Sequence, residues 1–253
     1  DYRGGGHFSG RITAALVAAG AILLQALEEK GVTIGSHILS CGGVSDERFA
    51  LDPAEEIERL KGEVFPVLKK EKREEMLSAI SSAAAENDSA GGTIETAICG
   101  LPAGLGEPWF DSVEGVLSHA LFSLGGVKGV EFGAGFSLAN MRGSEANDEF
   151  YADKNGKILT KTNRSGGING GITNGMPIVF TCAVKPTASI SKPQNTVNMQ
   201  TCENAVLTLK GRHDPAIVRR ICPVIDSVAA FVICDFIAAR YGTNALADKD
   251  FHF

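Results

Sequence analysis

The sequence predicts a mixed chain in which helices alternate with extended stretches. Apolar residues recur every three or four positions in four segments, 13–30, 69–87, 108–124 and 215–240, which is helical periodicity. Each of the first three leads through a turn into a stretch rich in Val, Ile, Thr or Phe and bounded by glycine. No linker rich in proline, serine or charge divides the chain. We therefore predict a mixed α and β structure in one compact domain spanning residues 1–253.

Two of the predicted helices are apolar enough to raise the question of a membrane. The run TAALVAAGAILLQAL is too short to span a bilayer, contains Gly20 and Gln25, and is followed directly by the charged EEK. The later run PVIDSVAAFVICDFIAAR carries Asp226 and Asp235, and charge of this kind is costly inside lipid. We interpret both as buried core helices and expect no membrane partner.

The extended stretches follow the helices in order. Strands are predicted in 32–44, 92–102, 126–136, 176–186 and 204–211, with 188–200 as a connection. The segment 52–76 carries most of the mid-chain charge, and we expect it to form a solvated pair of surface helices.

Composition limits the function classes. The net charge of -6 and the 44% apolar content describe an acidic globular chain, so we expect no nucleic-acid partner. Six cysteines are scattered without a CxxC pair or metal-type spacing. The prediction is reduced thiols in a cytoplasmic protein without a metal site.

Three glycine-rich stretches, 3–11, 100–108 and 165–175, are candidate anion cradles, because successive glycines allow backbone N–H groups to converge. None has P-loop or GxGxxG order, so a tight turn is the favoured interpretation of each one alone. The first has further support, because Ser9 and Thr13 can cap a helix N-terminus, which attracts anions.

Two later stretches concentrate cations and hydroxyls. VKPTASISKP (184–193) places three hydroxyls between two lysines, which suits an anion, although an exposed loop is the favoured interpretation of this stretch alone. KGRHDPAIVRR (210–220) gathers cations around His213 and Asp214. Asp214 followed by Pro215 is also an ordinary helix start, with aspartate as N-cap, and the residues alone leave both interpretations open.

Six motifs, in this order along the chain, resemble the motifs of one family. GLPAGLGEPWFD, VKGVEFGAGF, GSEANDEF, NRSGGINGGITNGMPI, KPTASI and KGRHDPAIVRR resemble chorismate synthase, and the likeness runs from about residue 3 to 240. The resemblance implies a compact, internally duplicated α+β core with helices sandwiched between antiparallel sheets, assembled as a homotetramer. It implies a lyase that converts 5-enolpyruvylshikimate 3-phosphate to chorismate and phosphate by 1,4-elimination. Reduced FMN is the implied cofactor, with NADPH as a possible reductant.

The resemblance also implies site residues. Asp214 would lie beside the flavin and relay a proton at N5. The implied flavin contacts are His7, Phe8, Ser9, Gly125, Gly126, Gly170, Lys185, Pro186, Thr187, Ala188, Ser189 and Arg212. Arg3, Arg219 and Arg220 are expected to bind the substrate, whose two carboxylates and phosphate require fixed cations.

The chain also departs from the family pattern. His7-Phe8 stands where Arg-Ser is commoner, and Asp226 stands where Glu is commoner. The family's two acid/base histidines belong upstream of Asp1, so we interpret the sequence as the C-terminal two-thirds of the family's chain, truncated at its N-terminus. An alternative is a non-catalytic flavin or phosphate-binding module that lacks those histidines. A third interpretation, a structural or assembly protein, predicts no flavin affinity.

Overall fold

The structure is a computed structural model, and it describes residues 6–211 and 213–253. The helices in this part of the chain are α1 Thr13–Glu28, α2 Ala54–Leu60, α3 Lys70–Ala85, α4 Val113–Phe122, α5 Gly143–Ala146 and α6 Val218–Tyr241. The strands are β1 Thr33–Cys41, β2 Val44–Ser45, β3 Gly92–Cys99, β4 Val127–Phe132, β5 Phe150–Ala152, β6 Ile158–Thr160, β7 Ile168–Asn169, β8 Ile172–Thr173, β9 Ile178–Val184, β10 Gln194–Asn198 and β11 Glu203–Leu207.

A five-stranded antiparallel sheet organises the fold, with strand order β2-β1-β3-β9-β4. Its register places Ile94 between Ile38 and Cys182, so that apolar side chains of neighbouring strands lie side by side on one face. Helix α6 packs on this face, and its Ile225 and Ile233 are fully buried there. The predicted α+β class with antiparallel sheets is confirmed.

The two apolar helices differ in burial. By length and composition both Gly10–Glu28 and Val218–Tyr241 could cross a membrane, and 67% of the α6 window is buried in the fold. Only 11% of the Gly10–Glu28 window is buried, so the prediction that α1 is a buried helix was wrong. One side of α1 packs on α6, whereas its other side exposes alanines and Ile22. Small alanines made the sequence apolar on every side without indicating which side is covered.

Helices α1 and α6 run in the same direction. Gly20 lies against Ser227, where an added Cβ would fall 2.3 Å from the serine Cβ. Beyond α1, Lys30 Nζ donates hydrogen bonds to the carbonyls of Asp248 and Phe251, which follow α6. At 1.5 Å per residue, each helix begins about 10–14 Å before the Gly20 contact. Both N-termini therefore point to the same end of the fold.

Outside the central sheet, three small hairpins were less visible in the sequence. The segment predicted as a connection contains β10, which pairs with β11 from Gln194↔Leu207 to Asn198↔Glu203. The other hairpins are β5–β6 and β7–β8. In the predicted surface helix pair, α2 and α3 bury Ile57 and Met76 and leave their charged side chains outside.

Candidate functional site

Three loops and the start of α6 meet at one end of the central sheet. The register places Gly92, the first residue of β3, opposite Val184, the last residue of β9, and Val184 opposite Val127, the first residue of β4. Val218 of α6 lies against Gly92, where its Cγ1 would be 3.0 Å from an added Cβ. The loops that leave these strand ends are 87–91, 124–126 and 185–192.

Hydrogen bonds hold these loops together. The Lys185 N–H donates to the Gly126 carbonyl at 2.9 Å, and the Ala90 N–H donates to the Pro215 carbonyl at 2.7 Å. The Ser89 hydroxyl donates to the Thr187 carbonyl at 2.7 Å. Gly126 adopts φ +103°, a conformation that L side chains rarely adopt. The glycine and the Lys-Pro turn are therefore parts of one assembled corner.

The corner contains buried polar atoms that lack partners. Ser189 Oγ and His213 Nδ1 are 2.8 Å apart and hydrogen-bonded. Thr187 Oγ1 and His213 Nε2 are shielded from solvent and bond to no described residue. Buried polar atoms without partners are costly and rare in folded proteins, so each indicates a ligand atom or a residue beyond those described. A hydroxyl and an imidazole nitrogen fit a ligand that carries oxygen atoms able to accept hydrogen bonds.

Asp214 is not the N-cap of α6, and that interpretation was wrong. The helix begins at Val218, three residues later than the cap pattern requires, and no side chain caps it. The Pro215 carbonyl is instead engaged by Ala90, which holds residues before α6 outside the helix. Asp214 Oδ2 accepts a hydrogen bond from Arg220 Nη1 at 2.6 Å. Its carboxylate is thus fixed by an ion pair at the edge of the corner.

The two lysines of the 185–192 loop differ in their neighbours. Lys192 Nζ is 2.9 Å from Asp88 Oδ2, and this hydrogen bond lowers the pKa of the Asp88 carboxyl. Within the described ranges, no carboxylate lies within 4.0 Å of the exposed Lys185 ammonium. Lys185 is therefore the lysine of this loop whose charge is available to an anion.

Comparison with known proteins decides the family. A protein-family model described as chorismate synthase matches residues 1–238. This chain belongs to the chorismate synthase family. It is 47% identical over 239 residues to the chorismate synthase of Methanocella arvoryzae, covering 93% of this chain and 62% of that one. It is 45% identical over 237 residues to that of Korarchaeum cryptofilum, covering 94% of this chain and 65% of the relative.

A solved chorismate synthase crystal structure is similar in fold. Its TM-score with this chain is 0.77 at 29% sequence identity, covering 92% of this chain and 65% of that one. The chain therefore spans slightly less than two-thirds of the chorismate synthases to which these comparisons match it.

Most of the flavin contacts implied by the chorismate synthase resemblance lie at the corner. The structure brings together the glycine pair before β4, the Lys-Pro loop and the aspartate before α6: Gly125, Gly126, Lys185, Pro186, Thr187, Ala188, Ser189 and Asp214. Arg3 and Arg212 lie outside the described residues.

The first glycine-rich stretch lies at the N-terminus of α1, and hence at the same end of the fold as the corner. Ser9 Oγ accepts a hydrogen bond from the Arg11 N–H, whereas Thr13 Oγ1 donates to the Gly10 carbonyl and does not cap the helix. His7 is exposed, and the Phe8 side chain is 98% exposed. These residues present open surface.

Gly170 is separated from the corner. It lies in the β7–β8 turn, where the neighbouring Gly171 carbonyl accepts from the N–H of Val113, the first residue of α4. Gly126 follows the other end of α4, a helix of 10 residues that is about 15 Å long. The structure thus does not bring Gly170 together with the other implied flavin contacts.

A groove beside the corner contains a carboxyl group whose environment the sequence did not reveal. It has a volume of about 520 Å³ and lies between β1, α6 and the segment after α2, with Arg219 and Asp226 in its wall. Asp226 Oδ1 accepts from Ser36 Oγ at 2.5 Å, and Ser36 in turn bonds Thr96 Oγ1 at 2.7 Å. Burial raises the pKa of Asp226 to about 7, although the Ser36 hydrogen bond acts in the opposite direction. The signal in the sequence was an aspartate inside an apolar helix.

The opposite face of the sheet carries a second polar cluster. His37 Nε2 bonds Glu95 Oε2 at 3.0 Å, and Arg48 reaches Glu95 Oε1 at 2.8 Å. Burial raises the pKa of Glu95, but the hydrogen bonds from His37 and the Phe49 N–H outweigh it and hold the pKa below its ordinary value. His37 is fully buried, and its Nε2 atom is satisfied by Glu95.

Proposed function

We propose that this chain forms the flavin-holding part of a chorismate synthase, which eliminates phosphate from 5-enolpyruvylshikimate 3-phosphate to give chorismate. Family membership supports the reaction. The observation that supports the site is the corner itself, where loops far apart in sequence meet around the unpartnered Thr187 Oγ1 and His213 Nε2. Bound reduced FMN supplies the electron-rich ring beside which the elimination takes place.

The residues of the corner have separate tasks in this proposal. The Lys185 ammonium and the Thr187 hydroxyl hold anionic oxygens, because ammonium and hydroxyl groups donate charge-assisted hydrogen bonds. Arg219 and Arg220, together with Arg3, are the proposed partners of the substrate carboxylates and phosphate, and Arg212 is a proposed partner of the flavin. An acidic protein with one cationic corner also concentrates its field on anionic ligands.

Asp214 is the proposed proton carrier. In the elimination the substrate C–O bond breaks and its electron pair leaves with phosphate. A substrate C–H bond also breaks: its electron pair supplies the new C=C double bond, and the hydrogen is lost as a proton. The Asp214 carboxylate accepts that proton at the flavin edge, and Arg220, at 2.6 Å, fixes its orientation before it does so.

The test is a chimera in which the upstream segment of the Methanocella arvoryzae relative precedes residue 1. We expect it to bind FMN and to form chorismate in a single turnover with pre-reduced FMN. Asp214→Asn should retain FMN binding and lose about 100- to 10,000-fold in rate, the range for general acid–base catalysis. Asp235→Asn, on the exposed side of α6, is the matched control and should retain the rate.

The outcomes separate the candidates. An Asp214→Asn chimera that turns over at the rate of the unsubstituted chimera would remove Asp214 from the mechanism. Flavin binding without any turnover by the chimera would favour the non-catalytic binding module. No flavin binding at all would contradict the proposed function.

Assembly as a homotetramer is part of the proposal. Exposed apolar surface supports it, because Ile22 on α1 and the aromatic side chains of Trp109, Phe110 and Phe136 face outward. Sedimentation of the chimera measures the assembly state. NADPH as reductant and a cytoplasmic location remain proposals from the resemblance and the sequence.

A further inference from the structure

The β10–β11 hairpin is an arm whose two ends lie in the corner. Nine of its ten strand residues are exposed, and Gln194 is half-buried. A two-stranded hairpin is marginally stable alone, so its position depends on its attachments. Loop 185–193 enters the arm, and the arm's second strand ends at Leu207, six residues before His213.

His213 and Ser189 join those two attachments. Their hydrogen bond of 2.8 Å links residues 24 positions apart in sequence, across the base of the arm. A serine hydroxyl rotates freely and donates readily, so the geometry suits donation from Ser189 to an unprotonated Nδ1. The imidazole proton then resides on Nε2, because a neutral imidazole carries one N–H and one acceptor nitrogen.

With Ser189 as the donor to Nδ1, His213 Nε2 is a donor without an acceptor. It is shielded from solvent and bonds to no described residue, and Thr187 Oγ1 in the same corner shares this condition. Leaving such an atom unpaired is unfavourable. Lys185 lies two residues before Thr187, and no described carboxylate lies within 4.0 Å of its ammonium, so these donors favour an oxyanion over an uncharged carbonyl.

We propose that His213 binds the phosphate of FMN through Nε2–H, and that Ser189 orients the ring for this contact. The inference rests on the proposed function, since it assumes that the corner holds the flavin. His213 thereby couples the arm to the cofactor: the ring fixes loop 185–193 on one side and the phosphate on the other.

Two substitutions separate the two nitrogens of the ring. In His213→Gln the side-chain amide nitrogen reaches the place of Nε2, whereas in His213→Asn it occupies the place of Nδ1. We expect His213→Asn to weaken FMN binding by the chimera about 10- to 100-fold, the loss of a hydrogen bond to a charged group. His213→Gln should stay within about threefold of the unsubstituted chimera, since a donor remains near the phosphate. Flavin fluorescence quenching measures both affinities, and thermal melting checks that the fold is retained.

Riboflavin, which lacks the phosphate, identifies the atom contacted. We expect His213→Asn to leave riboflavin affinity unchanged, and an equal loss for riboflavin and FMN would overturn the phosphate assignment. Equal FMN affinity of His213→Asn and the unsubstituted chimera would overturn the inference as a whole. Failure of the unsubstituted chimera to bind FMN would contradict the proposed function, whereas FMN binding that His213→Asn does not weaken would contradict only the role of His213.

Discussion

Asp226 provides the sharpest test of the packing around the groove. Its carboxyl group is desolvated against α6 and β1, and its pKa is raised from 3.8 to about 7. Between these two values the folded chain holds a proton that the unfolded chain releases. The contribution of Asp226 to stability is therefore greatest below about pH 4 and falls as the pH rises toward 7, by roughly 1.4 kcal/mol per pH unit. The whole interval corresponds to about 4 kcal/mol.

The perturbation is Asp226→Asn, which keeps an oxygen to accept from the Ser36 hydroxyl and removes the titration. Urea unfolding at several values between pH 5 and pH 8 gives the free energy of unfolding for both proteins. We expect the variant to gain on the wild type steadily as pH rises, and to be the more stable protein at pH 8. The carboxyl groups whose pKa values are lowered, such as Glu95 and Asp148, contribute equally to the pH dependence of both proteins, so the difference between the two proteins removes their contribution.

Asp235→Asn is the matched control, because Asp235 is exposed on the same helix and its replacement should change stability little at any pH. A difference between Asp226→Asn and wild type that stays constant from pH 5 to pH 8 would refute the argument. It would mean that Asp226 is well hydrated and that the groove does not desolvate it.

Three further predictions follow from the helix contact and the cationic corner. Gly20→Val should lower the free energy of unfolding by about 1–3 kcal/mol, because a Cβ would fall 2.3 Å from Ser227 Cβ and 2.8 Å from its Cα. Ala21→Val, on the exposed side of α1, should lower it by well under about 1 kcal/mol, and urea unfolding measures both. The chimera should bind FMN more tightly when 5-enolpyruvylshikimate 3-phosphate is present, and equal affinities in the two titrations would count against a shared pocket. Arg212→Ala should weaken FMN or substrate binding by about 1.5–3 kcal/mol with little change in the melting temperature, and unfolding with normal flavin binding would make Arg212 structural.

Local pattern was enough to predict the main strands of the central sheet and its covering helix, but not how the strands pair. The strands β1, β3, β4 and β9 carry β-branched and apolar runs between glycines, and α6 carries strong helical periodicity, so neither depends on distant contacts to be visible. The failures share one cause. Contacts with residues far away in sequence decide both which side of α1 is covered and where α6 begins. Ser227 contacts the side of α1 that is covered, and Ala90 binds the Pro215 carbonyl and so holds the chain before α6 outside the helix.

The corner was visible only through the family resemblance. Gly126, Lys185 and Pro215 look like separate turns in the sequence, and the backbone hydrogen bonds that join them connect residues about 60 to 125 positions apart. The unpartnered Thr187 and His213 atoms could not be predicted at all, because a side chain's lack of a partner is a property of the folded surroundings.

Loss of the cap interpretation changes what Asp214→Asn measures. As an N-cap, aspartate could be replaced by asparagine with little effect on stability. In the structure the carboxylate instead pairs with Arg220 at 2.6 Å, and both side chains are about half exposed, at 41% and 58%. Exposed ion pairs contribute about 0–1 kcal/mol, so the substitution should lower stability only slightly. A rate loss of about 100-fold or more in a folded, flavin-binding variant would therefore report the missing proton acceptor, since the lost ion pair is too weak to unfold the corner.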